Sequence, residues 1–269
     1  MNIPDMHWNS AEISEAIRFP IEGSADELGS PIKFIAQGDV ANGDVPDEIR
    51  KEFVEEDFDY GPIRPYDSQE YFDVEEDQVK SLDEEQYICY DEPMLHCLNV
   101  LTEYSLAIVT HPDNDNYGIV MPADFNSRIA KEYLYPFFAE AARSVSNLIE
   151  ARYDTIELIP IYLSNRNNGE AANRWAQARE ENVELHIAEL MNLTDLKVVM
   201  TELTELREEI DLTSKTQCRD KFDDVARFRD KVMHANRTMV DDQEDIQRLA
   251  ESMDATSYLT SRCHAVLDV

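Results

Sequence analysis

The residues that decide the fold are 129–153, with the sequence IAKEYLYPFFAEAARSVSNLIEARY. Apolar side chains recur near every fourth place in this stretch, at Ile129, Tyr133, Phe137, Ala141 and Leu148. This spacing places them on one face of a long helix, within which Pro136 predicts a kink or a late start. An amphipathic helix of this length must bury its apolar face against other helices. The stretch therefore predicts a helical bundle.

The pattern continues to the end of the chain. Asn167-Asn168-Gly169 marks a break, after which we expect a helix over 170–190. The next helix, capped by Thr194 or Asp195, has apolar residues at helical spacing between Leu196 and Leu206. Thr213-Ser214 begins a further helix, and residues 242–259 predict the last one. Residues 129–269 are thus interpreted as an all-α bundle of about five helices.

Residues 66–128 have a different, alternating character. The predicted elements are a strand at 86–90, a helix at 92–102, a buried strand at 105–110, a turn at 112–116 and a hairpin strand at 117–121. Residues 1–65 are harder to interpret, with a strand expected at 32–36. The acidic run 52–59, closed by Gly61-Pro62 and Pro65, suggests a surface segment or linker. The predicted fold class is α+β, with an N-terminal α/β unit followed by the helical bundle.

The charge of the chain is extreme. Its 269 residues include 57 acidic and 24 basic ones, of which 8 are lysine, and the net charge is −33. An acidic surface that binds a partner or mimics nucleic acid is one explanation. Adaptation to concentrated salt is the other, and the scarcity of lysine and even spread of acid favour it, since the screening length falls to about 3 Å at 1 M salt. Apolar residues make up 43% of the chain, which excludes a disordered acidic tail.

The negative charge is unevenly divided. Residues 1–128 hold 30 acidic and 7 basic residues (−23), whereas residues 129–269 hold 27 and 17 (−10). The helical half therefore repels a phosphate backbone less. The four cysteines lie far apart and form no C-x-x-C pair, so neither a zinc site nor a disulfide framework is expected. Without a signal peptide or a long apolar run, we expect a cytoplasmic protein that does not enter a membrane.

One short motif in the helical half points to chemistry. Arg229-Asp230 is followed by His234 at the spacing R-D-x-x-x-H, and then by Asn236 and Arg237. Arginine binds phosphate through paired hydrogen bonds at any working pH, and histidine exchanges protons near neutrality. This combination suits metal-independent cleavage of RNA. On an ideal helix Arg229 and His234 point about 140° apart, whereas Asp230 shares a face with His234 and would orient its imidazole.

These features resemble two known families. Residues 118–126, GIVMPADFN, resemble the end of a CBS motif, a small nucleotide-binding unit, although Met121 stands where such sites often have Thr or Ser. Residues 182–185, the helix opened by residues 193–196, and the segment 229–237 resemble HEPN domains, helical bundles many of which are ribonucleases or toxins. The combined resemblance covers about residues 66–269.

The resemblance implies a function. A HEPN-type endoribonuclease would act as a homodimer in which two motifs line one cleft, without a metal or another cofactor. Its catalytic residues would be Arg229, Asp230 and His234, with Asn236 and Arg237 on the RNA phosphates. The CBS-like unit would regulate or dimerise the protein, and Asp124 would hold the ribose of an adenine nucleotide. An antitoxin or regulatory protein would be a further partner. The alternative is a non-catalytic dimeric module for protein interaction or nucleotide sensing.

Overall fold

The chain has the predicted α+β fold and divides into two compact units. The computed structural model describes residues 35–40, 44–64, 69–89, 93–110, 117–164, 169–234 and 236–267. The first unit extends to Asp124 and the second begins at Phe125. Each unit has its own core and is described separately.

The described residues of the N-terminal unit form seven strands and two α-helices, besides short 3₁₀ turns. In chain order these are β1 (Ile35–Ala36), α1 (Asp47–Glu55), β2 (Tyr60–Arg64), β3 (Glu70–Asp73), β4 (Gln78–Ser81), β5 (Tyr87–Cys89), α2 (Met94–Glu103), β6 (Ala107–Thr110) and β7 (Tyr117–Val120). The strands make a four-stranded sheet in the order β1-β2-β3-β4 and a three-stranded sheet in the order β5-β6-β7.

Strand β3 joins two small hydrophobic cores, because successive side chains of a strand point to opposite faces. Phe72 packs with Ile35, Val45, Phe53 and Ile63, whereas its neighbour Tyr71 packs with Leu82, Leu106, Ile108 and Ile119. The first of these clusters lies between the four-stranded sheet and α1, and the second connects the two sheets. The antiparallel register of Tyr71 with Lys80 and of Phe72 with Val79 fixes which residue faces which core.

The second sheet has the predicted order of elements. Strand β5 pairs with β6 in parallel through the crossover helix α2, and β6 pairs with β7 as an antiparallel hairpin. Ile88, Leu98 and Ile108 are buried, as the apolar runs predicted. The predicted turn at 112–116 lies outside the described residues.

Residues 52–59 are largely exposed, as expected of a surface segment, but the linker alternative is wrong. Residues 52–55, half of the run, belong to helix α1, in which Phe53 is completely buried while the neighbouring Val54 is 65% exposed. Gly61 and Pro62 belong to strand β2. A β-carbon on Gly61 would lie 2.7 Å from Cε1 of Phe53 and 2.9 Å from Cδ1 of Ile35, so the close packing of α1 on the sheet depends on this glycine.

The regular secondary structure in the described residues of the C-terminal unit is all helical. Its α-helices are α3 (Arg128–Arg152), α4 (Thr155–Ser164), α5 (Glu170–Glu180), α6 (Leu193–Glu202), α7 (Thr204–Glu209), α8 (Lys215–Met233) and α9 (Gln243–Leu267). Helix α9 packs along α3 and α8, and α8 also packs against α6. The side chains of Phe138, Phe222 and Phe228 are buried in this bundle.

Several helix limits differ from the prediction. Ser127 caps α3, which runs through Pro136, so the proline does not delay the helix start. The helix expected over 170–190 ends at Glu180, because Asn182 adopts a left-handed conformation with φ 58°, and a short 3₁₀ turn covers Ile187–Leu190. Asn192, not Thr194 or Asp195, caps α6. Helix α8 begins where Thr213-Ser214 predicted, and Ser214 is its N-cap. In the described part of the chain, none of the helices is both long and apolar enough to cross a bilayer.

The four thiols are expected to differ sharply in reactivity. Cys97, Cys218 and Cys263 are buried, whereas Cys89 is exposed, and none of the four forms a disulfide. Burial raises the pKa of Cys97 and of Cys263 to about 12, so their reactive thiolates are scarce at lower pH. Iodoacetamide should therefore label Cys89 alone in the native protein and all four thiols after denaturation, as measured by mass spectrometry. Rapid native labelling of Cys263 would contradict this packing of α9.

Candidate functional site

Helix α8 carries Arg229 at the edge of its buried face. The helix begins at the Ser214 cap and buries Cys218, Phe222, Val225, Phe228 and Val232, which recur every three or four residues. Arg229 follows a buried residue, and its side chain is 34% exposed. The guanidinium is thus held beside the core and remains accessible to a ligand.

Asp230 contacts Arg229 and not His234. Nη1 of Arg229 donates a hydrogen bond of 3.0 Å to Oδ1 of Asp230. Asp230 is the more exposed partner, at 59%, and solvent weakens such a pair to about 0–1 kcal/mol. A phosphate that binds two guanidinium nitrogens at once could displace this carboxylate at little cost.

His234 lies just beyond the helix, which corrects the geometry expected from the sequence. Helix α8 ends at Met233, and His234 is its C-cap residue, with extended backbone angles (φ −112°, ψ 107°). Helical periodicity therefore sets neither the 140° angle to Arg229 nor a shared face with Asp230. The side chain of His234 is exposed. The backbone oxygen of His234 accepts a hydrogen bond from the amide of Arg237, 3.1 Å away, which closes a turn.

A buried lysine anchors this turn. The side chain of Lys131, on α3, lies in the core with the residue only 6% exposed. Its ammonium nitrogen donates to the backbone oxygen of Arg237 at 2.6 Å and reaches that of His234 at 3.5 Å. Carbonyls at a helix C-terminus carry partial negative charge, so a buried cation stabilises them. Lys131 therefore fixes the backbone of the segment that contains His234, Asn236 and Arg237.

Asn126 holds the following residues. Its Oδ1 accepts hydrogen bonds from the amides of Met239 (2.6 Å) and Val240 (2.9 Å), and its Nδ2 donates to the oxygen of Val240 (2.6 Å). Lys231 adds a bond of 3.0 Å to the oxygen of Met239. Met239 and Val240 are themselves buried, so the chain between α8 and α9 is pinned at both ends.

Replacing Asn126 by alanine is expected to destabilise the C-terminal unit by about 2–4 kcal/mol, because it leaves two amides and one carbonyl without their partner. Asn126→Asp keeps the accepting oxygen and loses only the donor, so we expect a smaller loss of stability, of about 1 kcal/mol. Urea denaturation of both variants, followed by circular dichroism in the same salt, measures the difference. Equal stabilities of the two variants would show that the accepting oxygen contributes nothing.

The segment is a local exception to the acidity of the chain. Residues 227–237 contain four basic residues and one acidic residue, a charge of +3 in a chain of −33. Asn236 and Arg237 are both exposed there. Arg229, His234, Asn236 and Arg237 thus belong to one anchored and accessible segment of the chain whose sequence is locally cationic, which suits an anionic ligand.

Sequence reasoning missed Lys131 and Asn126. Both are more than 100 positions from their partners, with separations of 106 and 114 residues for the bonds to Arg237 and Val240. The one local signal was that Lys131 precedes Leu134 and Phe138 by three and seven places, which puts a lysine in the apolar stripe of α3.

Asp124 is engaged by its own turn. Its Oδ2 accepts the amide hydrogen of Met121 at 2.7 Å, and its own amide donates to the oxygen of Met121 at 3.0 Å. Burial raises the pKa of the Asp124 carboxyl, and the Met121 amide partly offsets that rise. The carboxylate expected to hold a ribose thus already stabilises the turn after β7.

A serine, a histidine and a glutamate meet between α3 and α9, but not as a nucleophilic triad. Nε2 of His264 lies 3.0 Å from Oγ of Ser144 and 3.2 Å from Oε1 of Glu140. A triad requires the acid on one ring nitrogen and the serine on the other. Here both share Nε2, and Ser144 is 1% exposed, so the contact joins two helices.

The chain matches no protein-family model, and searches of curated proteins and of solved structures return no match.

Proposed function

We propose that this chain is a metal-independent endoribonuclease of HEPN type whose chemistry resides in Arg229–Arg237. The observation that carries the proposal is the anchoring of this cationic segment by buried Lys131, which holds the backbone on either side of Asn236 while leaving His234 and Arg237 exposed. Sites that bind and react with anions need such a fixed backbone with accessible side chains.

In the proposed reaction, the ribose 2′-oxygen forms a bond to phosphorus and the bond from phosphorus to the 5′-oxygen breaks. His234 takes the proton of the 2′-hydroxyl as general base, or supplies the proton of the leaving 5′-oxygen as general acid. Arg229 stabilises the charge that develops on the phosphate oxygens, and Asn236 and Arg237 bind substrate phosphates. Asp230, which contacts Arg229 at 3.0 Å, holds that guanidinium until the phosphate arrives.

The proposed active form is a homodimer. A single histidine cannot be the unprotonated general base and the protonated general acid in the same step. A second copy of the segment would therefore supply the complementary acid or base and a second Arg229. The N-terminal unit would then be a CBS-like regulatory or dimerising domain that responds to adenine nucleotide. A protein that neutralises the ribonuclease, as an antitoxin does, fits the same scheme, as does residence in the cytoplasm.

The test is cleavage of total RNA by the purified full chain in molar KCl with EDTA. We expect fragments that end in 2′,3′-cyclic phosphate or its hydrolysed form, because the 2′-oxygen is the nucleophile. A His234→Ala preparation, purified identically, controls for contaminating ribonuclease. Equal cleavage by the two preparations, or none by the wild type with RNA of several classes, would exclude the proposal.

The second candidate is a non-catalytic interaction module, and one observation favours it. The net charge of −33 repels an RNA backbone at low salt, and the salt that screens this repulsion also weakens phosphate contacts. Such a module would bind its partner equally well after the change Arg229→Ala, whereas the ribonuclease would lose RNA cleavage.

A further inference from the structure

Helix α4 presents an apolar stripe to solvent. Its sequence over Thr155–Ser164 is TIELIPIYLS, with one acidic and no basic residue. Leu158 and Tyr162 point into the bundle. On another face, Ile156 is 72% exposed and Leu163 is 46% exposed, with the partly buried Ile159 and the exposed Pro160 between them. Positions 156, 159, 160 and 163 have the spacing i, i+3, i+4, i+7 of a continuous helix face.

This face contrasts with the exposed face of another helix of the same unit. The exposed positions of α8 include Lys215, Arg219, Asp220, Asp223 and Arg227, and they are polar throughout that helix until Met233. Single exposed apolar side chains need no explanation, whereas large ones that recur along one exposed helix face commonly mark an interaction site. The stripe on α4 is of the recurring kind.

Carboxylates flank the stripe at the N-terminal end of α4. Asp154 and Glu157 lie at the start of α4, where an oxygen of Glu157 accepts the amide hydrogen of Asp154 at 3.3 Å. Glu205 accepts a hydrogen bond of 3.2 Å from the hydroxyl of Tyr153, and Glu209 lies 2.9 Å from the guanidinium of Arg152. Both glutamates therefore lie beside the residues that precede α4. Arg152, a base on this rim, is thus already paired. The surface combines an apolar stripe with an acidic border at its N-terminal end.

We propose that the stripe on α4 docks an amphipathic helix of a partner protein whose apolar face is flanked by lysine or arginine. Seven residues of a helix span about 10.5 Å, so two turns of the partner match Ile156 to Leu163. Charge complementarity selects this occupant. The acidic border repels anionic lipid and nucleic acid at this surface, and two copies of the chain that met here would bring their carboxylate borders together. The proposal does not depend on the ribonuclease assignment.

Two synthetic peptides of identical composition test the proposal with the full chain. The first has leucines at i, i+3, i+4 and i+7 between lysines, and the second has its leucines rearranged out of the stripe. The titrations are made in molar KCl, where the screening length of charge attraction is about 3 Å. We expect the first peptide to bind at least about tenfold more tightly than the second, as measured by fluorescence anisotropy. Equal affinities would overturn the proposal.

A double variant and a matched control locate the surface. Ile156→Asp combined with Leu163→Asp should weaken binding of the first, striped peptide by at least about tenfold. This loss is expected although the added negative charge favours a lysine-rich ligand. Val54→Asp, at an apolar side chain 65% exposed in the other unit, should leave the affinity unchanged. Circular dichroism of each variant verifies folding. Undiminished binding by the double variant would overturn the proposal. So would light scattering that shows a wild-type dimer and a monomeric double variant, because the occupant would then be a second copy.

Discussion

The His234→Ala variant is expected to cleave RNA about 10²–10⁴ times more slowly than the wild type, the usual range for loss of a general acid or base. The imidazole is exposed at the end of α8, and what the structure fixes there is its backbone, through the Arg237 amide and Lys131. Thermal unfolding of the variant should match that of the wild type. A slower reaction at unchanged stability identifies a role in the chemistry.

The same helix offers a matched pair of arginines for the phosphate clamp. Arg229 is 34% exposed and Arg227 is 42% exposed, and each contacts a nearby carboxylate. We expect Arg229→Ala to reduce cleavage by about 10²–10³-fold, as for removal of a group that stabilises transition-state charge, and Arg227→Ala to leave it within about twofold. His96→Ala, at an exposed histidine on α2, controls for loss of a surface imidazole. Equal losses in Arg227→Ala and Arg229→Ala would point to general electrostatics instead of a defined site.

The Phe53→Ala variant is expected to lose about 3–5 kcal/mol of stability in the N-terminal unit. Phe53 is completely buried against Ile35, Ile63 and Phe72, and a Phe→Ala change in a core both removes apolar burial and leaves a cavity. Because a chain of two units need not unfold in one step, the measurement should be local. Hydrogen exchange in peptides from β2 and β3 should accelerate by about 10²–10³-fold or more.

Val54→Ala is the control for that variant. The two side chains are adjacent on α1, yet Val54 is 65% exposed, and its truncation should change the stability by less than about 0.5 kcal/mol. Similar exchange rates in the two variants would mean that α1 is not packed on the sheet. The original interpretation of these residues as a linker would then be restored.

Sequence reasoning succeeded where burial imposes a simple pattern. The sequence has short apolar runs around Ile88, Ile108 and Ile119, and between the first two the apolar residues recur at helical spacing. The order strand, helix, strand, strand over 87–120 could therefore be predicted directly. Helices α3 and α8 could also be predicted from the sequence, because a helix in a bundle must keep one stripe of its surface apolar over many turns. The capping serine at position 214 marked the start of α8.

The misses have physical causes too. Helix α1 has the sequence DEIRKEFVE, and its single fully buried side chain, Phe53, is too little to show a period among so many charges. The prediction of an overlong helix over 170–190 resulted from continuous helix formers. The structure instead has a left-handed turn at Asn182, after which the oxygen of Leu185 accepts a hydrogen bond of 3.1 Å from the indole of Trp175.

For the candidate site, the sequence indicated the side chains but not their support. Arg229, His234 and Arg237 were recognisable from residue type and spacing alone. The end of α8 at Met233 was not, because Lys131 and Asn126 stabilise the departing chain from another helix and another turn, more than 100 positions away. Contacts of this separation leave no periodic trace in the neighbourhood of either residue.

The contact between Phe53 and Gly61 has a consequence for recognising relatives of this protein. With only 2.7 Å between Cε1 of the ring and the place of a β-carbon, the two positions cannot both be large. Natural variation should therefore be coupled: chains with phenylalanine at the first position retain glycine eight places later, and chains that gain a side chain at the second carry a smaller residue at the first. This paired constraint offers a search pattern, F-x7-G, that is independent of the acidic surface and of its response to salt.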